Sequence, residues 1–259
     1  MATGRSAPEV VRSLYLLWGH HPEQGRSGLS VGRIVRAGVQ LADAQGLAAT
    51  SMRKVAEELG VSTMALYHHV PGKEDLTALM TDDVYGELYG DVDHARPADD
   101  WRTGLREVAE RNWQLLERHP WLLDVHEARS LLGPNASRKY EAELGVLDGI
   151  GLSDLDMESS LTALLNIVEG AARHLRADHA ARSSSGLTDA EWWAVVAPAL
   201  DHLMADEDYP VSGRVGTSVG TAADAARDPR RTFRLGVSLV VDGVAELIRA
   251  SGSDPDAPG

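Results

Sequence analysis

Residues 50–73 read TSMRKVAEELGVSTMALYHHVPGK. Met52, Val55, Ala56 and Leu59 recur at i, i+3, i+4 and i+7, the apolar stripe of a short amphipathic helix. Gly60 supplies the left-handed position on which such a helix ends without a Cβ clash. Ser62 is placed to cap a second short helix, whose first turn carries Thr63, Met64 and Ala65. Pro71-Gly72 stops that helix, and Lys73 opens the next. Two short helices joined by a glycine turn make either an ordinary αα-hairpin or a helix-turn-helix whose second helix enters the DNA major groove. The second helix favours the latter. Val61, Leu66 and Val70 serve the core, while Tyr67, His68 and His69 are exposed beside Arg53, Lys54 and Lys73, where a solvated bundle face would mix Glu with Lys.

Helical periodicity continues on both sides. A helix is predicted over 31–45, with Ile34, Gly38, Leu41 and Ala42 inward and Gly46 ending it. Upstream, residues 1–29 form an extension with a helical pattern at 7–18 and a linker, GHHPEQGRSG, at 19–28. It is read either as a docked helix or disordered arm, or as an arm whose Arg26 reaches an adjacent minor groove. Downstream, a long helix over 73–89 leads to DVDHARPADD at 91–100, the expected domain boundary. Further helices are expected from 101 to 119, with a new start at Pro120, then over 135–150, over 153–181, and after the Thr188–Glu191 capping box. A long polar loop is expected at 205–229, a last helix at 229–250 and a disordered tail at 251–259. The fold class is all-α: a three-helix helix-turn-helix domain at 30–75, then a larger helical domain at 76–250.

The 259 residues can bury one or two sizeable cores, and 43% of them are hydrophobic. With no cysteine, disulfides and thiolate sites are excluded, which suits a reducing compartment. The apolar run 14–18 is too short for a signal peptide and lacks a basic leader, and no stretch approaches the roughly 20 apolar residues that cross a bilayer. A soluble cytoplasmic protein without a membrane partner is expected. The net charge of −14 opposes a polyanion partner until the chain is divided. Residues 26–73 carry six basic side chains (Arg26, Arg33, Arg36, Arg53, Lys54, Lys73) against three acidic ones (Asp43, Glu57, Glu58), a local +3. Enzyme chemistry finds no footing: there is no His-Glu-x-x-His helix, Gly-x-Ser-x-Gly elbow or phosphate-cradling loop. Neither catalytic nor metal residues, nor a cofactor, are expected.

The run LSVGRIVRAGVQLADAQGLAATSMRKVAEELGVSTMALYHHVPGKEDLTALMTDDV (29–84) resembles the TetR family of transcriptional regulators. RHPWLL (118–123), GPN followed by KYE (133–141) and FRLGVSLVVDGVAEL (233–247) resemble its members with a tetracycline-repressor-like C-terminal domain. The resemblance implies a homodimeric repressor that a small-molecule effector releases from a double-stranded DNA operator. The alternative is a helical ligand-binding or interaction protein that no longer binds DNA.

By position, the resemblance places Thr63, Met64, Ala65, Tyr67 and His68 against bases and phosphates. Thr63 suits a base edge, and Met64 or Ala65 a thymine methyl. Tyr67 and His69 are expected at the backbone, Ser62 with the helix start at a phosphate, and Ser51, Arg53 and Lys73 at phosphates on either side. No Arg, Asn or Gln stands at 63–69, so DNA shape contributes to specificity. The resemblance puts the dimer surface on a helix around 161–173 and on the last helix. There Gly170, Ala171, Gly236 and Gly243 permit close approach, within the chain or between copies. Trp113, His126, Asn166 and Trp193 are candidate linings of a ligand pocket, with hydrogen-bonded core positions as the competing reading.

Overall fold

The computed structural model describes residues 6–20, 28–89, 100–125, 131–204, 209–223 and 227–252, and among them every regular element is helical. In chain order the α-helices are α1 (Ala7–Leu17), α2 (Val31–Gln45), α3 (Met52–Leu59), α4 (Thr63–His69), α5 (Lys73–Tyr85) and α6 (Trp101–Arg118). After a 3-10 turn at Pro120–Asp124 come α7 (Pro134–Leu144), α8 (Asp154–Ser185), α9 (Asp189–Leu203), α10 (Pro210–Ala223) and α11 (Pro229–Ala250). Their starts follow from short polar caps. Ser30, Ser51, Ser62, Asp100, Ser153, Thr188 and Asp228 each accept a first-turn backbone N–H that the helix cannot satisfy itself. Gly60 ends α3 at φ 67°, the left-handed region.

Helices α2 to α5 close around Ile34, Val35, Val55, Ala56, Leu66, Val70, Leu76 and Met80, all buried. Each larger side chain contributes about 1.5–3 kcal/mol by leaving water. Gly38 lets α2 and α5 approach, because a Cβ there would stand 2.8 Å from the Met80 Sδ. The same apolar core takes in Leu115, Trp121, Leu122 and Ala142, so the end of α6, the 3-10 turn and α7 grow out of it directly. A second core joins α6, α8 and α11 through Leu105, Trp113, Leu164, Val168, Phe233 and Val241. The Trp113 and Phe233 rings lie 4.7 Å apart there. The extension is helical at α1, which buries Leu16 in the first core. Its Ser13 hydroxyl donates to Asp75 on α5, and the Trp18 indole N–H donates to the Leu132 carbonyl at 2.9 Å.

Three elements differ from the sequence expectation. The helix expected over 73–89 stops at Tyr85 and continues as turns, with Gly86 close against the start of α7, where a Cβ would stand 3.1 Å from the Asn135 side chain. The helix expected over 135–150 ends at Leu144 and continues as turns. The polar loop expected at 205–229 contains α10. Its Gly, Ser and Thr content hid a Val211, Val215, Val219 row at helical spacing, and Thr217, Ser218 and Thr221 place their hydroxyls on carbonyls four residues back. The expected boundary at 91–100 and the expected tail at 251–259 fall almost wholly on residues outside those described.

Candidate nucleic-acid interface

Helix α4 has two faces. Leu66 is fully buried, and Val61 and Ala65 pack partly against the core. Facing away from it, Met64 is 78% exposed, Tyr67 46% exposed, and Ser62 and His68 are exposed, with Thr63 half-buried at the edge. Among the hydrophobic side chains of α4, Met64 is the most exposed. Around it, Arg53 projects from α3 and, among the described residues, pairs with Glu57 one turn on, at 3.4 Å with both side chains solvated, an exposed pair that exchanges readily for another partner. Lys73 is exposed at the start of α5, with its ammonium 3.2 Å from the Leu47 carbonyl, and Lys54 reaches Gln45 at 2.9 Å. Ser51 and Ser62 spend one lone pair each on capping α3 and α4.

His69 is a correction. Its side chain is buried, and its Nδ1 has no hydrogen-bond partner, so it does not join the exposed face. Three residues after Leu66 on a 3.6-residue repeat, it falls on the inner side of α4. Burial, then the charge of His68, lowers its pKa below the ordinary 6.5. Arg26 lies outside the described residues.

A short capped helix, a left-handed glycine turn and a second helix with one bare face form a helix-turn-helix ready for a groove. The family model of tetR-family bacterial regulatory proteins matches residues 34–80, and that of the tetracyclin repressor-like C-terminal domain matches residues 95–248. The chain belongs to the TetR family. Among relatives, the HTH-type transcriptional repressor DrrR1 of Streptomyces coeruleorubidus is 37% identical over 93% of this chain and 87% of its own. A TetR transcriptional regulator of known structure from Streptomyces coelicolor is 28% identical, covers 85% of this chain and 99% of its own, and superposes with a TM-score of 0.61. ActR from the same organism, solved in complex with actinorhodin, is 25% identical over 84% of this chain and 97% of its own, with a TM-score of 0.63. This TetR-family chain is a DNA-binding transcriptional regulator. None of its described helices is long and apolar enough to cross a membrane.

The pocket candidates are not brought together. Trp113 is a core residue, 1% exposed, stacked near Phe233 with the Arg230 guanidinium 5.6 Å from its ring. Asn166 points to solvent from α8, and Trp193 is 52% exposed on α9, a helix with no buried residue. Their periodicity was legible but their depth was not, because burial depends on which neighbours arrive. His126 lies outside the described residues. The sequence reading missed a buried polar cluster. Glu143, wholly enclosed, accepts from Asn112 at 2.6 Å, Tyr89 at 3.3 Å and Lys139 at 2.6 Å, joining α6, α7 and the turn after α5. Burial and the Glu143 charge push the Tyr89 hydroxyl far up, so it stays a donor. Only the Lys139–Glu143 spacing of four was visible in sequence.

Proposed function

We propose that the chain is a cytoplasmic, homodimeric, ligand-responsive repressor. Residues 30–75 hold a double-stranded operator, 76–250 pair the copies and bind a small-molecule effector, and 1–29 and 251–259 flank them. The observation that carries this reading is the bare outer face of α4 above a fully buried Leu66. Thr63, Met64, Ala65, Tyr67 and His68 meet bases and backbone in the major groove, and Ser51, Arg53, Ser62 and Lys73 hold phosphates.

One module contacts too few bases to select a genomic site, so two are paired. The pairing surface has support in α11, where Leu235, Leu239 and Leu247 are 57%, 62% and 42% exposed. Of the four small residues, Ala171 is buried within the chain, and Gly236 serves α8–α11 packing, because a Cβ there would stand 2.5 Å from Ile167. Gly170 and Gly243 meet open space and suit a second copy. The Streptomyces coelicolor relative bound to actinorhodin supports an organic effector, which acts only as far as it prefers the DNA-incompetent state.

Gel shifts against the DNA upstream of the chain's own gene test this. Arg53→Ala is expected to weaken binding to all sequences and to reduce the salt slope by about 1, and Thr63→Ala to change preference among sequences. Indifference to both substitutions would overturn the assignment of this surface.

A further inference from the structure

The outer face of α11 has an order along its length. On the 3.6-residue repeat Arg231, Leu235, Leu239, Asp242, Gly243 and Glu246 share one side, with Arg234 at its edge, opposite the buried Phe233, Val237 and Val241. All seven are exposed. From the start of the helix this side runs basic, apolar, acidic. Arg230, next to Arg231, is used inside the chain: it donates to Glu117 on α6 at 2.5 Å and lies over the Trp113 ring. Arg231, Arg234 and Asp242 form no ion pair among the described residues. Glu246 pairs with Arg249 three residues on, with both side chains solvated, and such a pair exchanges readily for another partner.

Two copies of this face can lie side by side in two ways. Parallel helices set each arginine against its own copy and each carboxylate against its own copy, so like charges meet at both ends. Antiparallel helices about a two-fold axis make every contact twice, residue i on j and j on i. With the axis at Leu239, 62% exposed, positions equally far on either side of it meet. Leu235, four residues before, then faces residue 243, four after, which is a glycine whose Cβ position meets nothing within 4 Å. Arg231, eight before, faces position 247 and the adjoining Glu246. By the same count Asp242 faces position 236, a rise of about 3 Å from Arg234. The apolar knob meets a gap, and each basic group meets an acidic one.

We propose that α11 selects a second copy of this chain by that order. The pair is antiparallel and centred on Leu239, with Leu235 seated on the partner's Gly243, Arg231 against the partner's Glu246 and Arg234 against the partner's Asp242. A chain whose last helix carries its charges the other way round meets like charge at both ends and is refused, so the face sets both the alignment and the choice of partner. This rests on the pairing through α11 proposed above and adds its register and its selectivity.

The test is sedimentation of full-length chains over a dilution series, at about 50 mM and again at about 500 mM salt. Arg231→Glu with Arg234→Glu is expected to weaken the dimer about tenfold or more at the lower salt, because both ends turn from attraction to repulsion. Asp242→Arg with Glu246→Arg is expected to do the same. The chain carrying all four substitutions is expected to pair as tightly as wild type, and the differences shrink at the higher salt. Mixed with wild type, this fourfold variant is expected to form its own dimers and few hybrids, counted by native mass spectrometry. Cooperative thermal unfolding of each variant shows that the exposed changes leave the fold intact. Double variants that pair as tightly as wild type, as a parallel pair predicts, overturn the register. So does a fourfold variant that pairs no better than the doubles or mixes freely with wild type. In each of these cases the pairing face still stands if Leu239→Arg gives monomers. Wild type that is monomeric throughout, or a dimer that Leu239→Arg leaves intact, overturns the pairing face and the register with it.

Discussion

Two residues of α4, two positions apart, meet different surroundings: Tyr67 is 46% exposed and His69 is buried. The sequence reading placed both His68 and His69 on the exposed face, and the helical repeat separates them by turning one outward and the other onto the core. The buried one carries a pH signature. Its pKa is lowered, first by burial and then by His68, so the neutral ring's contribution to stability is intact above the ordinary 6.5 and is lost as acid forces a proton onto it. The melting temperature is expected to fall as pH drops from about 6.5 towards 5, and His69→Phe, which removes a buried unpaired nitrogen, should flatten that limb. A calorimetric pH series showing the same acid limb in both proteins would refute it.

At the scale of elements, α7 is held at its first turn by a residue of another helix. Asp82 of α5 is buried and accepts the Ala136 N–H at 2.9 Å and the Asn135 N–H at 3.4 Å, supplying the cap that α7 lacks locally. Burial raises its pKa against those two hydrogen bonds. The arrangement needs glycine at 133, because a Cβ there would stand 2.1 Å from Asp82 Oδ1, an oxygen already held by the Ala136 N–H. Gly133→Ala is expected to cost about 1–3 kcal/mol. Thermal unfolding should show it as about 2–4 °C lost per kcal/mol in a chain of this size. The GPN motif was legible as a family feature, but its reason was not, because Asp82 lies about fifty residues away. Helix α10 was missed for a different reason: glycine, serine and threonine read as loop when three valines four residues apart already marked one face.

At the scale of the molecule, the two apolar cores leave surface over. Leu235 and Leu239 on α11, and Trp192, Trp193 and Val195 on α9, are exposed, while Phe233, Val237 and Val241 of the same α11 are buried. The exposed Leu235 and Leu239 are the surface on which the proposed pairing rests. Leu239→Arg is therefore expected to shift sedimentation from dimer to monomer while thermal unfolding stays cooperative. Operator affinity should drop about 100-fold or more, because the second half-site contact is no longer intramolecular. A variant that remains dimeric would move the pairing surface elsewhere.

The identity and order of most helices, the helix-turn-helix and the inner row of each amphipathic helix were determined locally, because caps, glycine stops and apolar spacing act over a few residues. Burial depth and long-range polar pairing were decided only in three dimensions. His69 turned inward, Trp113 became core, Asp82 capped a distant helix, and His119 came between two carboxylates from other elements. Each of these depends on which side chain arrives from far along the chain, and no periodicity within one helix encodes that arrival.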